Sequence, residues 1–234
     1  KEPWIRLDLA RLYQAEGKPY QASFVMSQLL GDEATPEALH AGALLASEQQ
    51  RWDDADALLR RIPARSEAAQ AVADLQEQVA FQRQLAKVKQ RVASRDPEAR
   101  QRLYQWYRNP PSSPDALGSV ALALADAGQP GMALEMVRRS LAQNDVSETP
   151  TAYLNHALVL ARAGHFEEAR TLLSRLDAAA SSPEQQAMVS RTAGGVAITQ
   201  ADQLRLQQRY AEAYDVLQPA LQASPDDPQL LLAL

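Results

Sequence analysis

The residues able to do chemistry are few and far apart. His40, His156 and His165 fall in three separate stretches, and none stands at i, i+4 from another, the spacing that sets two imidazoles beside a carboxylate for zinc. Cys is absent, so there is no thiolate nucleophile, no disulfide and no thiolate metal site. Neither a Gly-rich phosphate loop nor a Gly-x-Ser-x-Gly elbow occurs. Carboxylate pairs do occur, at Asp53-Asp54, Glu167-Glu168 and Asp226-Asp227. Each stands where a helix is expected to start, and negative charge is favoured at that end of the helix dipole. This role explains them better than the acid and base of a glycosidase. No catalytic residue, cofactor site or metal site is therefore expected.

One segment does concentrate reactive side chains. Arg83, Lys87, Lys89, Arg91, Arg95, Arg100, Arg102 and Arg108 gather in a chain whose net charge is −5, with Tyr104, Trp106 and Tyr107 among them. One use for such a segment is a docking surface for an anionic partner or a sugar polymer, with rings stacking on pyranoses. The other use is structural: Leu103, Trp106 and Tyr107 fall on one helical stripe with Tyr104 at its edge. That is the spacing of a core, with the cations facing solvent. The candidate partner-binding residues are Arg91, Arg95, Arg100, Arg102, Tyr104 and Trp106. A net acidic chain lacks the basic footprint of a nucleic-acid binder.

The elements that carry these residues are helices. Hydrophobic residues make up 46% of the 234 and aromatics only 6%, so Ala and Leu fill the apolar share. One short phrase returns five times, as Gly17 to Ala22, Gln50 to Ala55, Gly128 to Ala133, Gly164 to Ala169 and Gln208 to Ala213. In each, a Gly or Gln ends one helix, and an Ala five residues later lies where two helices approach closely. This is the hinge of a helix–turn–helix repeat. It resembles the tetratricopeptide repeat, in which small residues on both helices let them pack. Ala10 with Ala22, Ala43 with Ala55, Ala121 with Ala133, Ala157 with Ala169 and Ala201 with Ala213 fill those places. Trp52, Phe166 and Tyr210 share a turn position and are expected to fix the approach angle of the second helix.

Spacing divides the chain. Residues 1–65 hold two regular units, 66–113 an irregular two-helix unit with a Pro-rich joint, and 114–182 two more units. Residues 183–234 hold a unit with a lengthened first helix and the start of a following helix. From Ala55 to Ala133 the phrase is missing. Ser66 to Ser94 lacks Pro and Gly, which predicts one helix on the order of 43 Å long. Asp96-Pro97 reads as an N-cap with a first-turn Pro, opening a helix to about Arg108. Asn109 to Pro114 is a rigid non-helical connector, so Pro110 and Pro111 are candidate hinge residues. Gly194-Gly195 interrupts the helix expected from Pro183 to Gln207, either as a second hinge or as a point of close packing.

No apolar run approaches the roughly 18 residues that cross a bilayer, and no signal peptide is present. The opening Lys-Glu-Pro-Trp and the Leu-rich ending suggest an internal piece of a longer protein.

Pro3 to Ala22 and the order of regular and irregular units resemble the periplasmic tetratricopeptide-repeat region of the outer-membrane export component of bacterial cellulose synthase. The resemblance implies an all-α tetratricopeptide superhelix with irregular units, located in the periplasm. It further implies a parent with an outer-membrane β-barrel, and contacts with the other proteins of the cellulose synthase complex, the glucan chain or peptidoglycan. The expected function is a non-enzymatic scaffold for exopolysaccharide export, with no cofactor. Exporters of other exopolysaccharides share such repeats. A peptide-binding adaptor is the other class, but a carboxylate clamp needs Lys, Arg and Asn on the first helices, where Val120 to Ala125 and Leu158 to Ala161 are largely Ala, Leu and Val. A helical glycosidase or transglycosylase would need a cleft carboxylate, for which no residue stands out.

Overall fold

The computed structural model describes residues 2–65, 67–225 and 227–234. Among them all regular structure is helical: α1 (Pro3–Ala15), α2 (Pro19–Ser27), α3 (Pro36–Glu48), α4 (Trp52–Arg60), α5 (Glu67–Ala71), α6 (Ala73–Ala93), α7 (Pro97–Arg108), α8 (Pro114–Asp126), α9 (Pro130–Gln143), α10 (Leu154–Arg162), α11 (Phe166–Ala179), α12 (Pro183–Leu206), α13 (Tyr210–Ala223) and α14 (Pro228–Leu232), with a 3-10 turn at Pro150–Tyr153 before α10. Proline opens most of the α-helices, where its missing N–H would have no partner and its φ is already helical. The side chains of Thr35, Asp96, Ser182 and Asp227 cap α3, α7, α12 and α14 by accepting a first-turn N–H.

Two expectations made from the sequence need correction. The helix from Ser66 to Ser94 is broken: α5 ends at Ala71, Val72 is a turn residue, and α6 begins at Ala73. (Ser66 itself, like Asp226, lies outside the described residues.) The break has no Pro or Gly to announce it. Val72 is fully buried in a core cluster with Leu75 and Val79, and its carbonyl accepts the amide of Gln76 at 2.8 Å, the i to i+4 bond that opens α6. Second, the turn phrase is not missing between Ala55 and Ala133. Among the described residues six have positive φ, and in chain order they are Gly17, Gln50, Arg95, Gly128, Gly164 and Gln208. At each, the next residue's N–H reaches back five residues to a helical carbonyl, as in Asp96 N to Arg91 O at 3.0 Å. Arg95 is the sixth copy. It was hidden because Arg occupies the left-handed position and because the first buried Ala of α7, Ala99, comes one residue early.

These six positions lie 33, 45, 33, 36 and 44 residues apart. Gly17 with Gly128, Gln50 with Gly164, and Arg95 with Gln208 are separated by 111, 114 and 113 residues. The chain thus carries the same series of three turns twice. Each 44- or 45-residue interval holds one of the two longest helices, α6 with 21 residues and α12 with 24.

The glycines and the left-handed Arg should differ in stability. Gly128→Ala and Gly164→Ala are expected to lose about 1 kcal/mol each, because Cβ crowds the following carbonyl at positive φ. Arg95→Gly removes that crowding and is expected to gain up to about 1 kcal/mol. Denaturation midpoints of the three variants check both signs.

By packing, the chain divides into two units, Lys1–Lys87 and Val88–Leu234. In the first, α1–α2 and α3–α4 fold back as hairpins. Ala10 and Ala22, and Ala43 with Ala55, are fully buried at their contacts. Arg11 holds Glu48 at 3.2 Å across α1 and α3, and Arg83 holds Asp56 at 2.7 Å across α6 and α4. In the second unit α8–α9, α10–α11 and α12–α13 are the hairpins. Ala121, Ala133, Ala157, Ala169 and Ala201 are fully buried there and Ala213 nearly so. Asp126 pairs with both Lys89 and Arg162, Arg138 reaches Glu168 at 2.6 Å, and Tyr107 donates to Glu135 at 2.6 Å. Ion pairs this exposed contribute at most about 1 kcal/mol each. Their role is to fix how one hairpin sits on the next.

Candidate functional site

The basic helix α7 buries Ala99, Leu103 and Trp106 along one stripe. Trp106 is 9% exposed, so its ring is core and presents no face to a pyranose. Tyr104 and Tyr107 are half-buried at the edges of that stripe. The six candidate partner-binding residues do not form one surface. Arg91 is committed to Asp96 at 2.7 Å and Glu98 at 3.0 Å. Burial opposes ionisation of Asp96, but Arg91 and the Glu98 amide hold its carboxyl below the usual range. Arg102 lies over the Trp106 ring, 5.1 Å from its centroid, and donates to Gln105 at 2.9 Å. Arg100 and Tyr104 stand on the opposite flank, at i and i+4, and Arg108 extends that row to i+8. Arg95 stands in the turn at the head of the helix.

The most deeply buried ionisable group among the described residues lies elsewhere. His156 in α10 is fully buried against the half-polar side of α9: its Nε2 is 3.1 Å from Ser140 Oγ and its ring centroid 5.0 Å from that of Tyr153. Its Nδ1 has no hydrogen-bond partner among the described residues. Gly118 makes the room, since a Cβ there would come within 2.9 Å of Nδ1. Burial pushes the imidazole down to about 4. His156 is therefore a neutral packing residue. His40, half-exposed, packs edge-on against Trp4 with centroids 5.1 Å apart, and His165 pairs with Glu168. No group of three or more His, Asp or Glu gathers to hold a metal among the described residues.

Two of the carboxylate pairs sit in first turns, and of the third only Asp227 is described. Asp53 and Asp54 open α4, Glu167 and Glu168 open α11, and Asp227 caps α14 through the Gln229 amide at 2.8 Å. Of the turn aromatics, Trp52 packs on a core cluster, while Tyr210 stays 65% exposed and fixes no angle. A cleft of about 350 Å³ opens among α11, α12, α13 and α14, floored by Gly194, Ala197 and Ala220. Its rim groups are already engaged: Arg170 with Glu167 and Gln200, and Asp227 as a cap. No helix among the described residues is long and apolar enough to cross a membrane.

Over 240 residues the chain is 37% identical to the cellulose synthase operon protein C of Xanthomonas axonopodis pv. citri (strain 306), covering all of the chain and 16% of that protein. The chain matches a segment of cellulose synthase operon protein C. The protein C of Pseudomonas fluorescens (strain SBW25) is 28% identical over 232 residues, and that of Komagataeibacter xylinus 29% over 247. These alignments take in 97% and 99% of the chain and 18% of each relative, so the chain spans less than a fifth of the protein C sequences it matches. No family model and no solved structure matches. The family likeness expected from Pro3 to Ala22 and the order of the units thus holds over the whole chain.

Within this segment of protein C likeness, the two glycines of α12 differ. The helix runs through both without interruption. A Cβ on Gly195 would meet Leu158 Cδ2 at 3.3 Å, a tight contact between α12 and α10. At Gly194 a Cβ would meet Leu230 at an ordinary 3.7 Å. Gly194→Ala is therefore expected to raise stability by about 0.5–1 kcal/mol through helix propensity. Gly195→Ala should gain less or lose, and thermal melting of the two variants distinguishes them.

Proposed function

We propose that this chain is a tetratricopeptide-type solenoid segment of a cellulose export protein, acting in the periplasm as a non-enzymatic scaffold. The whole-chain likeness to cellulose synthase operon protein C carries the proposal. Fully buried alanines at the paired hairpin positions support the repeat type. The name of the relatives is that of an operon protein and not of a synthase, which supports the non-enzymatic reading. In this view the parent carries an outer-membrane barrel, and the segment contacts other members of the synthase complex, the glucan or peptidoglycan. Repeat arrays touch only their neighbours, so irregular places bend most easily. Pro110-Pro111 and Gly194-Gly195 are the proposed hinges; faster amide exchange at Asn109, Ser112 and Ser113 beside the prolines than in α7 and α8, and at Gly194 and Gly195 than in the rest of α12, would support them.

The scaffold role is tested by co-purification. A tagged protein C in which residues 1–234 of this chain replace the matching segment should bring down the other synthase subunits from detergent extracts. The same protein with the segment deleted should bring down less than a tenth as much. Equal recovery from both would place the contacts outside this region.

A further inference from the structure

The flank of α7 that carries Arg100, Tyr104 and Arg108, together with Arg95 at its head, lacks its counter-charges. Between Val88 and Arg108 the only carboxylates are Asp96 and Glu98, and Arg91 takes both. Arg95, Arg100, Arg102 and Arg108 have no carboxylate partner among the described residues. Elsewhere the arginines are mostly tied in cis: Arg11, Arg51, Arg60, Arg83, Arg138 and Arg205 each hold an Asp or Glu. Arg6, Arg61, Arg65, Arg175 and Arg191 likewise have no carboxylate partner among the described residues, but no two of them share a helix, as Arg100 and Arg108 do on α7.

We infer that this flank docks an acidic polypeptide segment of a partner protein, whose Asp and Glu side chains supply the missing carboxylates. The inference rests on the scaffold role above and names the chemistry of one partner. Arg100 and Arg108 are two turns apart, about 12 Å along the helix, with the half-buried Tyr104 between them. Guanidinium forks bind carboxylates two-pronged, and Tyr107 beside them already shows a phenol on a carboxylate, at Glu135. A neutral glucan gives such a row nothing to neutralise. The ring that would stack on it, Trp106, is buried and covered by Arg102. Arg95 adds a fourth cation near this row: at a left-handed turn position whose equivalents carry Gly or Gln, it alone places a charge, at the head of its helix.

The probe is a fluorescein-labelled peptide of 15 residues rich in Glu, with a Gln-for-Glu version as control. Anisotropy is measured against the intact chain at low and physiological salt. Expected is salt-sensitive binding of the Glu peptide alone, weakened at least tenfold by Arg100→Glu with Arg108→Glu, and partly restored in Arg100→Lys with Arg108→Lys. Arg95→Gly should weaken binding while melting no lower than the parent chain, which separates a lost contact from a lost fold. Arg191→Glu, an exposed arginine on α12, should leave binding unchanged. Equal binding by the charge-reversed variant overturns the inference. So does preferential binding of phosphatidylglycerol vesicles, or of cello-oligosaccharide, through the same arginines. Failure of this assay with intact co-purification of synthase subunits would remove the acidic partner and leave the scaffold standing.

Discussion

Between pH 6.5 and 4 the folded chain is expected to lose about 3 kcal/mol of stability through His156 alone. The unfolded chain takes up a proton on this imidazole near its ordinary value of 6.5, while the folded chain takes it up only near 4. The contribution is therefore whole above about pH 6.5, falls by about 1.4 kcal/mol per pH unit below that, and is exhausted below about pH 4. The geometry explains the size. His156 is sealed between Ser140, Tyr153, Asn155 and Gly118, with no carboxylate beside it, so a second N–H would have no acceptor at Nδ1. Urea midpoints measured from pH 7 to 4 should show the decline, and His156→Gln, which cannot titrate, should flatten it at a lower starting stability. A pH-independent midpoint in the parent chain over this interval contradicts the buried neutral ring.

Ala157→Leu is expected to cost about 3 kcal/mol, the upper end for overpacking a tight helix contact. Ala157 and its partner Ala169 are both fully buried where α10 crosses α11, and three added carbons have no void to enter. Leu206→Ala, which removes the same three carbons at an 86% exposed site, should move stability by less than about 0.5 kcal/mol. Thermal melts of the two variants give the comparison. If Ala157→Leu melts like the parent, the hairpins are not packed through their alanines.

Much of this architecture is legible in the chain because local signals and burial agree. Gly17, Gly128 and Gly164 stop helices by their backbone freedom, Pro19 and Pro130 start the next, and the buried Ala follows at a fixed distance. What is not legible is decided by tertiary contact. Nothing near Val72 in the sequence marks a helix end, and its burial with Leu75 and Val79 is apparent only in three dimensions. Arg95 hides a turn because a residue with a Cβ took the left-handed place, although Gln50 and Gln208 do the same and Asp96-Pro97 marks the next helix start beside it. For the candidate surface, composition showed the charge and the helical period placed Trp106 in the core. Which arginines are engaged depends on Asp96, Glu98, Gln105 and the Trp106 ring in three dimensions, and no spacing rule separates Arg91 and Arg102 from Arg100 and Arg108.

The scaffold role is most directly measured in a cellulose-producing strain whose protein C lacks the segment matching residues 1–234, with and without this chain restored in its place. Cellulose outside the cells is weighed, and glucose incorporation from UDP-glucose is followed in membranes from the same cultures. Deletion should abolish extracellular cellulose while incorporation in membranes continues at the parental rate, and the restored segment should return secretion. Loss of incorporation in proportion to secretion would instead place this region in polymer synthesis and contradict a scaffold of export.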